Sequence, residues 1–290
     1  MKRRDAVIVG GGPAGLTAGF YLARAGFSTL LLEAGQLGGR AARIPTLHNY
    51  PGFPLGIAGR TLMRRMVRQA ACWGLDTECA QVRLLEHRAD GWRIELAGGE
   101  VRRGKAVLIA TGTEFLPLGV PGERPLTGKG VRHAVFDNAR RYAGRRVGVV
   151  GGGEAAAHQA LALAKHAEKV VLFVRGREIK AIRPLRDALA NSSRIELRRG
   201  VRVRRLLGDR RLAGVEWERG ARRRREELDA LFVLVGQRPH LPARRGTGGK
   251  RSLFIAGDAR RGAVRHVVAA AADGMARAME CERFLRGWTK

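Results

Sequence analysis

Twice in this chain a short apolar run ends in a glycine-rich turn that opens a helix-like stretch, and few folds accommodate that arrangement. The first copy runs Ala6-Val7-Ile8-Val9 into Gly10-Gly11-Gly12-Pro13-Ala14-Gly15, with a helix-like segment from Leu16 to Ala25 behind it. An apolar run of this length reads as a buried parallel strand. Gly10, Gly12 and Gly15 have GxGxxG spacing. Gly10 permits the tight turn, Gly12 lets backbone N–H groups approach a pyrophosphate, and Gly15 lets the helix lie close to the strand. The positive end of the helix then faces the phosphates. A second strand, Thr29 to Leu32, ends in Glu33 at the distance expected of an acid that binds a ribose.

The second copy runs Val147-Gly148-Val149-Val150 into Gly151-Gly152-Gly153-Glu154-Ala155-Ala156. Gly151, Gly153 and Ala156 give GxGxxA spacing, His158 to His166 is helix-like, and Val170 to Val174 is the next strand. No acid follows that strand; Arg175, Arg177 and Lys180 come instead. Cations there suit a 2′-phosphate and favour NADPH. Plain surface basicity also accounts for them, so NADH stays open.

Two complete loops imply two dinucleotides, or one loop kept as an unused relic, and two further segments favour FAD on the first. Val107 to Ala110 is a buried strand ending in the small-residue turn Thr111-Gly112. Leu253 to Ala256 is another, ending in Gly257-Asp258, where an acid can reach the ribityl or pyrophosphate region.

A length of 290 residues allows two ordinary domains. No run of eighteen apolar residues occurs, which excludes a membrane-spanning helix of that kind. The start, MKRRD, leads straight into the first strand with no cleavage-site pattern, so a cytoplasmic protein is expected. The net charge of +29 attracts anions and speeds encounter with acidic partners. The run Arg222 to Arg225 sits beside Glu226 and Glu227 without interleaved aromatics for base stacking, and reads as a solvated hairpin rather than a nucleic-acid surface. Cys72, Cys79 and Cys281 are too widely spaced for a disulfide framework or a metal site, and no CxxC pair exists.

Over nearly its whole length the chain resembles the low-molecular-weight thioredoxin reductase family. The resemblance is carried by VIVGGGPAGLTAGFYLARAG, LLEAGQLGG, HNYPGFPLGIAGRTLMRRM, LIATGT, GKGV, VGVVGGGEAAAHQALALA, FIAGDARRGAVRHVVAAAADG and ECERFL. It implies an α/β fold of two Rossmann-like domains, the second inserted into the first. The FAD domain would comprise residues 1–116 and 243–290, and the NAD(P)H domain 117–242. It also implies a homodimer whose domains rotate during turnover. Carried over by position, FAD would contact Gly10, Gly12, Gly15, Glu33, Gly38, Gly39, Asn49, Thr111, Gly112, Gly257 and Asp258. NAD(P)H would contact Gly151, Gly153, Ala156, Arg175 and Lys180; the family's His and second Arg in that basic pattern are missing.

The departures bear on chemistry. Aligning Gly130-Val131 and Gly151 with their family counterparts needs no gap, and it puts the two redox cysteines on Ala134 and Asp137 and the following acid on Asn138. Disulfide exchange needs a thiolate nucleophile, and these positions supply none. Arg40 stands where the family has Gln beside the flavin; the alternative is a solvent-facing arginine. His133 is a candidate proton donor, although a lone histidine is more often structural. The stretch from Gly236 to Phe254 is shorter than in the family, which implies a missing hairpin of the FAD domain. The expected function is an NAD(P)H-dependent flavin oxidoreductase whose acceptor is not thioredoxin: an acidic soluble carrier such as ferredoxin or flavodoxin, a quinone-like molecule, or oxygen. The alternatives are a flavin- or nucleotide-binding regulatory protein without turnover, and a disulfide reductase using displaced or partner thiols.

Overall fold

The computed structural model describes residues 3–133, 139–246 and 248–287; Ala134, Asp137 and Asn138 lie outside them. The chain begins with β1 (Arg4–Val9), α1 (Pro13–Arg24), β2 (Thr29–Glu33), α2 (Gly59–Cys72), β3 (Asp76–Cys79), β4 (Val82–Arg88), β5 (Gly91–Leu96), β6 (Val101–Ile109) and β7 (Thr113–Phe115). Then come α3 (Glu123–Leu126), β8 (Val131–Arg132), β9 (Arg146–Val150), α4 (Glu154–Ala164), β10 (Lys169–Val174), α5 (Arg183–Ala190) and β11 (Ile195–Arg199). The remainder is β12 (Arg202–Leu207), β13 (Gly214–Arg219), β14 (Arg222–Glu227), β15 (Ala230–Val233), β16 (Gln237–Pro239), β17 (Ala243–Arg245), β18 (Leu253–Ile255) and α6 (Val267–Leu285). Two compact units result. Unit 1 is Met1–Glu114 with Pro239–Lys290, and unit 2 is Phe115–Arg238.

Unit 1 is built on parallel strands in the order β3-β2-β1-β6, with β18 parallel to the second half of β6. The first half of β6 pairs antiparallel with β5, so this long strand joins the antiparallel and parallel parts of one sheet. Side chains of a strand alternate between faces, and here both faces are covered. Ala6, Ile8, Leu31 and Leu108 pack under α1 and α6, while Val7, Val9, Leu30, Leu32, Val107 and Ile109 pack against Leu85, Trp92 and Ile94 of β4 and β5. That is why the β1 run is apolar without interruption. Small residues bring α6 onto the start of α1: a Cβ added at Gly274 would overlap the Ala14 carbonyl.

Unit 2 repeats the plan. Its parallel order is β11-β10-β9-β15-β8, with the antiparallel sheet β12-β13-β14 on the face opposite α4. Val147, Val149, Val170, Leu172 and Phe232 face the helices, and Val150, Val171, Phe173, Leu231 and Val233 face Val215 and Trp217. Full burial of one such aliphatic side chain contributes about 1.5–3 kcal/mol.

The hairpin expectation for the arginine run holds: Arg222 to Arg225 are exposed on strand β14, which pairs antiparallel along its length with β13 across the tight turn Gly220-Ala221. Alternation explains it. Glu226 points inward, where Arg146 and Arg198 donate to its carboxylate, while Arg225 pairs with Glu216 at 2.9 Å on the outer face. Cross-strand carboxylates let so basic a segment join a sheet.

A buried carboxylate organises the entry to unit 2. Glu123 is only 4% exposed, and it accepts hydrogen bonds from the Leu118 and Gly119 amides, each at 2.7 Å, and pairs with His133 Nε2 at 2.7 Å. Burial pushes this carboxyl up, and the two amides with His133 more than reverse it, leaving it below the ordinary carboxylate value. A carboxyl lowered in the fold adds stability above its unfolded value, and loses it as pH falls through the folded value. Glu123→Gln should therefore cost unit 2 about 1–3 kcal/mol at neutral pH in urea unfolding. The difference from the parent should shrink below about pH 4; a gap that does not change with pH would contradict the carboxylate's role.

Candidate functional site

Both glycine turns lie at carboxyl ends of parallel strands, where open α/β sheets bind ligands. At the first, the Gly10 amide donates to Leu32 O at 2.8 Å and the Ala110 amide to Val9 O at 2.7 Å. At the second, the Gly151 amide donates to Phe173 O at 3.0 Å and the Leu234 amide to Val150 O at 2.8 Å. The pattern is the same residue for residue. Gly10 has φ +108° and Gly151 φ +154°, and a Cβ on either would stand 2.5 Å from a carbonyl oxygen, of Ala110 and of Leu234. No side chain fits between turn and neighbouring strand end.

In front of the turns the space is open. A Cβ at Gly12 or Gly153 would meet nothing within 4 Å. These two glycines are the N-caps of α1 and α4, both extended, and among the described residues no side chain caps either helix. The helix starts thus face open space in front of both turns. Behind the turns the copies differ. A Cβ at Gly15 would overlap the Gly10 carbonyl, whereas Ala156 is accommodated with 1% exposure, so α1 approaches its turn more closely than α4 does.

Each turn is backed by a second loop. The Gly38 amide donates to Gly11 O at 2.7 Å, and a Cβ at Gly39 would be 3.3 Å from Gly12 Cα. The Lys180 amide likewise donates to Gly152 O at 2.7 Å. Glu33 ends β2 and accepts from the Gly11 amide at 2.6 Å and the Gly35 amide at 2.9 Å, so its carboxylate fixes the turn it adjoins. Arg175 follows β10 and is exposed, as is Lys180.

The remaining candidates divide between the units. In unit 1, Thr111 donates its hydroxyl to His240 O, and the His240 amide returns a bond to Gly112 O at 3.0 Å. Arg40 hydrogen-bonds the Thr113 hydroxyl and lies 3.7 Å from Asp258 Oδ2. Asn49 Nδ2 is 3.1 Å from His266 Nδ1. The Gly257 amide donates to Asp273 Oδ2 at 2.7 Å, which fixes the turn carrying Asp258. Sequence reasoning missed His266 and Asp273; Asp273 lies in the second turn of α6, outside the turn that carries Asp258, and no local pattern marks it. His133 belongs to unit 2 and is engaged by Glu123 there.

Among the described residues no helix is long and apolar enough to cross a membrane. A family model described as pyridine nucleotide-disulphide oxidoreductase matches residues 4–251. The chain belongs to this family. It is 30% identical over 300 aligned residues to a thioredoxin reductase of Mycolicibacterium smegmatis, covering 97% of this chain and 96% of the relative. The solved thioredoxin reductase of Lactococcus lactis superposes with a TM-score of 0.91 at 25% identity, covering 98% of this chain and 100% of that one. A bacillithiol disulfide reductase of Staphylococcus aureus, at 19% identity and a TM-score of 0.82 over 100% of both chains, shares the fold. The fold is therefore that of two Rossmann-like domains, the second inserted into the first, and this family member is a thioredoxin reductase-like oxidoreductase.

The asymmetry between the turns is testable. Gly15→Ala should destabilise unit 1 by about 3 kcal/mol, because the added methyl has nowhere to go. Ala156→Gly should cost unit 2 about 1 kcal/mol through helix propensity alone. Urea unfolding of the two variants checks this, and equal costs would contradict the difference in helix approach.

Proposed function

We propose that this family member is an FAD-dependent NAD(P)H oxidoreductase whose acceptor is not thioredoxin. The observation that carries the nucleotide assignment is the duplicated turn. The residues fit two diphosphates: each turn has open space at its second glycine, a helix start that no described side chain caps, and a first glycine that no other residue can replace. Gly10, Gly12, Gly15, Gly38 and Gly39 would hold the FAD diphosphate, with the Glu33 carboxylate beside the ribose. Asn49, Thr111, Gly112, Gly257 and Asp258 would line the flavin side of that crevice. Gly151, Gly153 and Ala156 would hold the nicotinamide nucleotide, with Arg175 and Lys180 toward a 2′-phosphate, which favours NADPH over NADH.

Bound flavin supplies two-electron chemistry between a nicotinamide and an acceptor. The chain's own part is to grip and orient. The turns fix the diphosphates by backbone amides, and Asp273 and the His240 segment hold the turns after β18 and β6 in place.

The acceptor assignment rests on sulfur. The three cysteines are all free and include no CxxC pair. Cys281 is buried between α1 and α6, and burial pushes its thiol up to about 12, so it stays protonated at neutral pH. Cys72 and Cys79 are exposed at the ends of α2 and β3. A net charge of +29 supports an acidic electron carrier through electrostatic steering. The proposal extends to a cytoplasmic homodimer. An open, largely apolar groove of about 340 Å³ between α1, α2 and α6, lined by Phe20, Tyr21, Tyr50, Met66 and Met275, offers a face for a second copy.

Anaerobic titration with NADPH and NADH tests the reading. Full bleaching of the flavin's visible band with at least one nucleotide is expected, and no bleaching with either defeats the proposal. The combined variant Cys72→Ser, Cys79→Ser and Cys281→Ala should still turn over artificial acceptors; lost turnover with intact flavin would return the electron path to sulfur.

A further inference from the structure

Four segments bring charged or hydrogen-bonding side chains to the carboxyl edge of the parallel sheet in unit 1. Arg40 comes from the tight helical turn Gly39–Arg43, Thr113 from beyond β6, Asp258 from the turn after β18, and Arg265 with His266 from the start of α6. The backbone just before Arg40 lies against the diphosphate turn, through Gly38 on Gly11 and Gly39 beside Gly12. The guanidinium ends elsewhere. It bonds Thr113, stands 3.7 Å from Asp258, and would be 3.8 Å from a Cβ on Gly112. Arg40 therefore starts at the phosphates and finishes over the ends of β6 and β18. A dinucleotide gripped at Gly12 and extended along those strand ends passes beside the guanidinium.

Cationic side chains gather at this edge. Arg40, Arg265 and His266 all act on Asp258, whose carboxyl burial nonetheless pushes up. The Arg40 side chain is 41% exposed and that of Asp258 21%, so solvent screens the cluster only in part. Asn49 holds His266 from the other side. Two-electron reduction with one proton leaves a flavin ring with one negative charge, the electrons and the proton both coming from the nicotinamide.

We propose that Arg40 sets the reduction potential: its guanidinium, held by Thr113 and Asp258, stabilises the reduced anionic ring relative to the neutral oxidised one. The inference rests on the FAD assignment above.

The test is the midpoint potential, measured spectroelectrochemically at fixed pH on the flavin-loaded parent, Arg40→Gln, Arg40→Met and Arg40→Lys. The two neutral variants should fall by at least the equivalent of a tenfold change in the two-electron equilibrium, about 30 mV. The lysine variant should retain most of the parent's potential, and the dissociation constant for oxidised FAD should change less than threefold throughout. Neutral variants that hold FAD at the parent's potential overturn the inference, as does weakened FAD binding without a shift, which would put Arg40 on the diphosphate. A lysine variant as low as the neutral ones also overturns it. If the parent itself takes up no flavin under reconstitution, the FAD assignment falls first and the inference with it.

Discussion

Everything in this protein follows from backbone meeting backbone at two strand ends. At Gly10 against Ala110, and again at Gly151 against Leu234, the turn presses so close to the neighbouring strand that only hydrogen fits at the α-carbon. That closeness carries the chain over the end of one strand and straight into a helix, leaving the helix start facing open space. The buried strands on either side exist to hold this approach rigid. β1 and β9 are each flanked by parallel partners on both sides and covered on both faces, so the turns have no room to relax.

The two copies have diverged where their ligands would differ. In unit 1 a carboxylate, Glu33, is tied to the turn by the Gly11 and Gly35 amides, and a glycine at position 15 lets α1 close down. In unit 2 the strand end carries Arg175 instead, a backbone bond from Lys180 backs the turn, and Ala156 keeps α4 further off. The shared hydrogen-bond pattern, set against this divergence, is one backbone device built twice.

Much of this was legible in the residues themselves. β1, α1 and β2, and again β9, α4 and β10, are local: within each copy the apolar runs and glycine spacing, and in the first the acid at the end of β2, lie within about thirty residues of one another. What was not legible is long-range. Nothing near Arg40 announces that its guanidinium reaches Thr113, 73 residues on, and Asp258, far beyond it in the chain. His266 is the N-cap residue of α6 and Asp273 stands in an ordinary stretch of it, and their roles arise only because α6 packs back onto the start of α1. The arginine run was legible as a solvated hairpin, but its register was not. Its partners Glu216, Trp217 and Glu218 set that register, and composition within the run does not show them.

The central claim is that the unit 1 turn holds FAD, and the most direct measurement is the nucleotide content of the protein itself. Chain purified, or refolded, in the presence of FAD and freed of excess should release, on denaturation, one FAD per chain as measured by chromatography against protein concentration. A chain that releases none, although its strands and helices are intact by circular dichroism, would contradict the account.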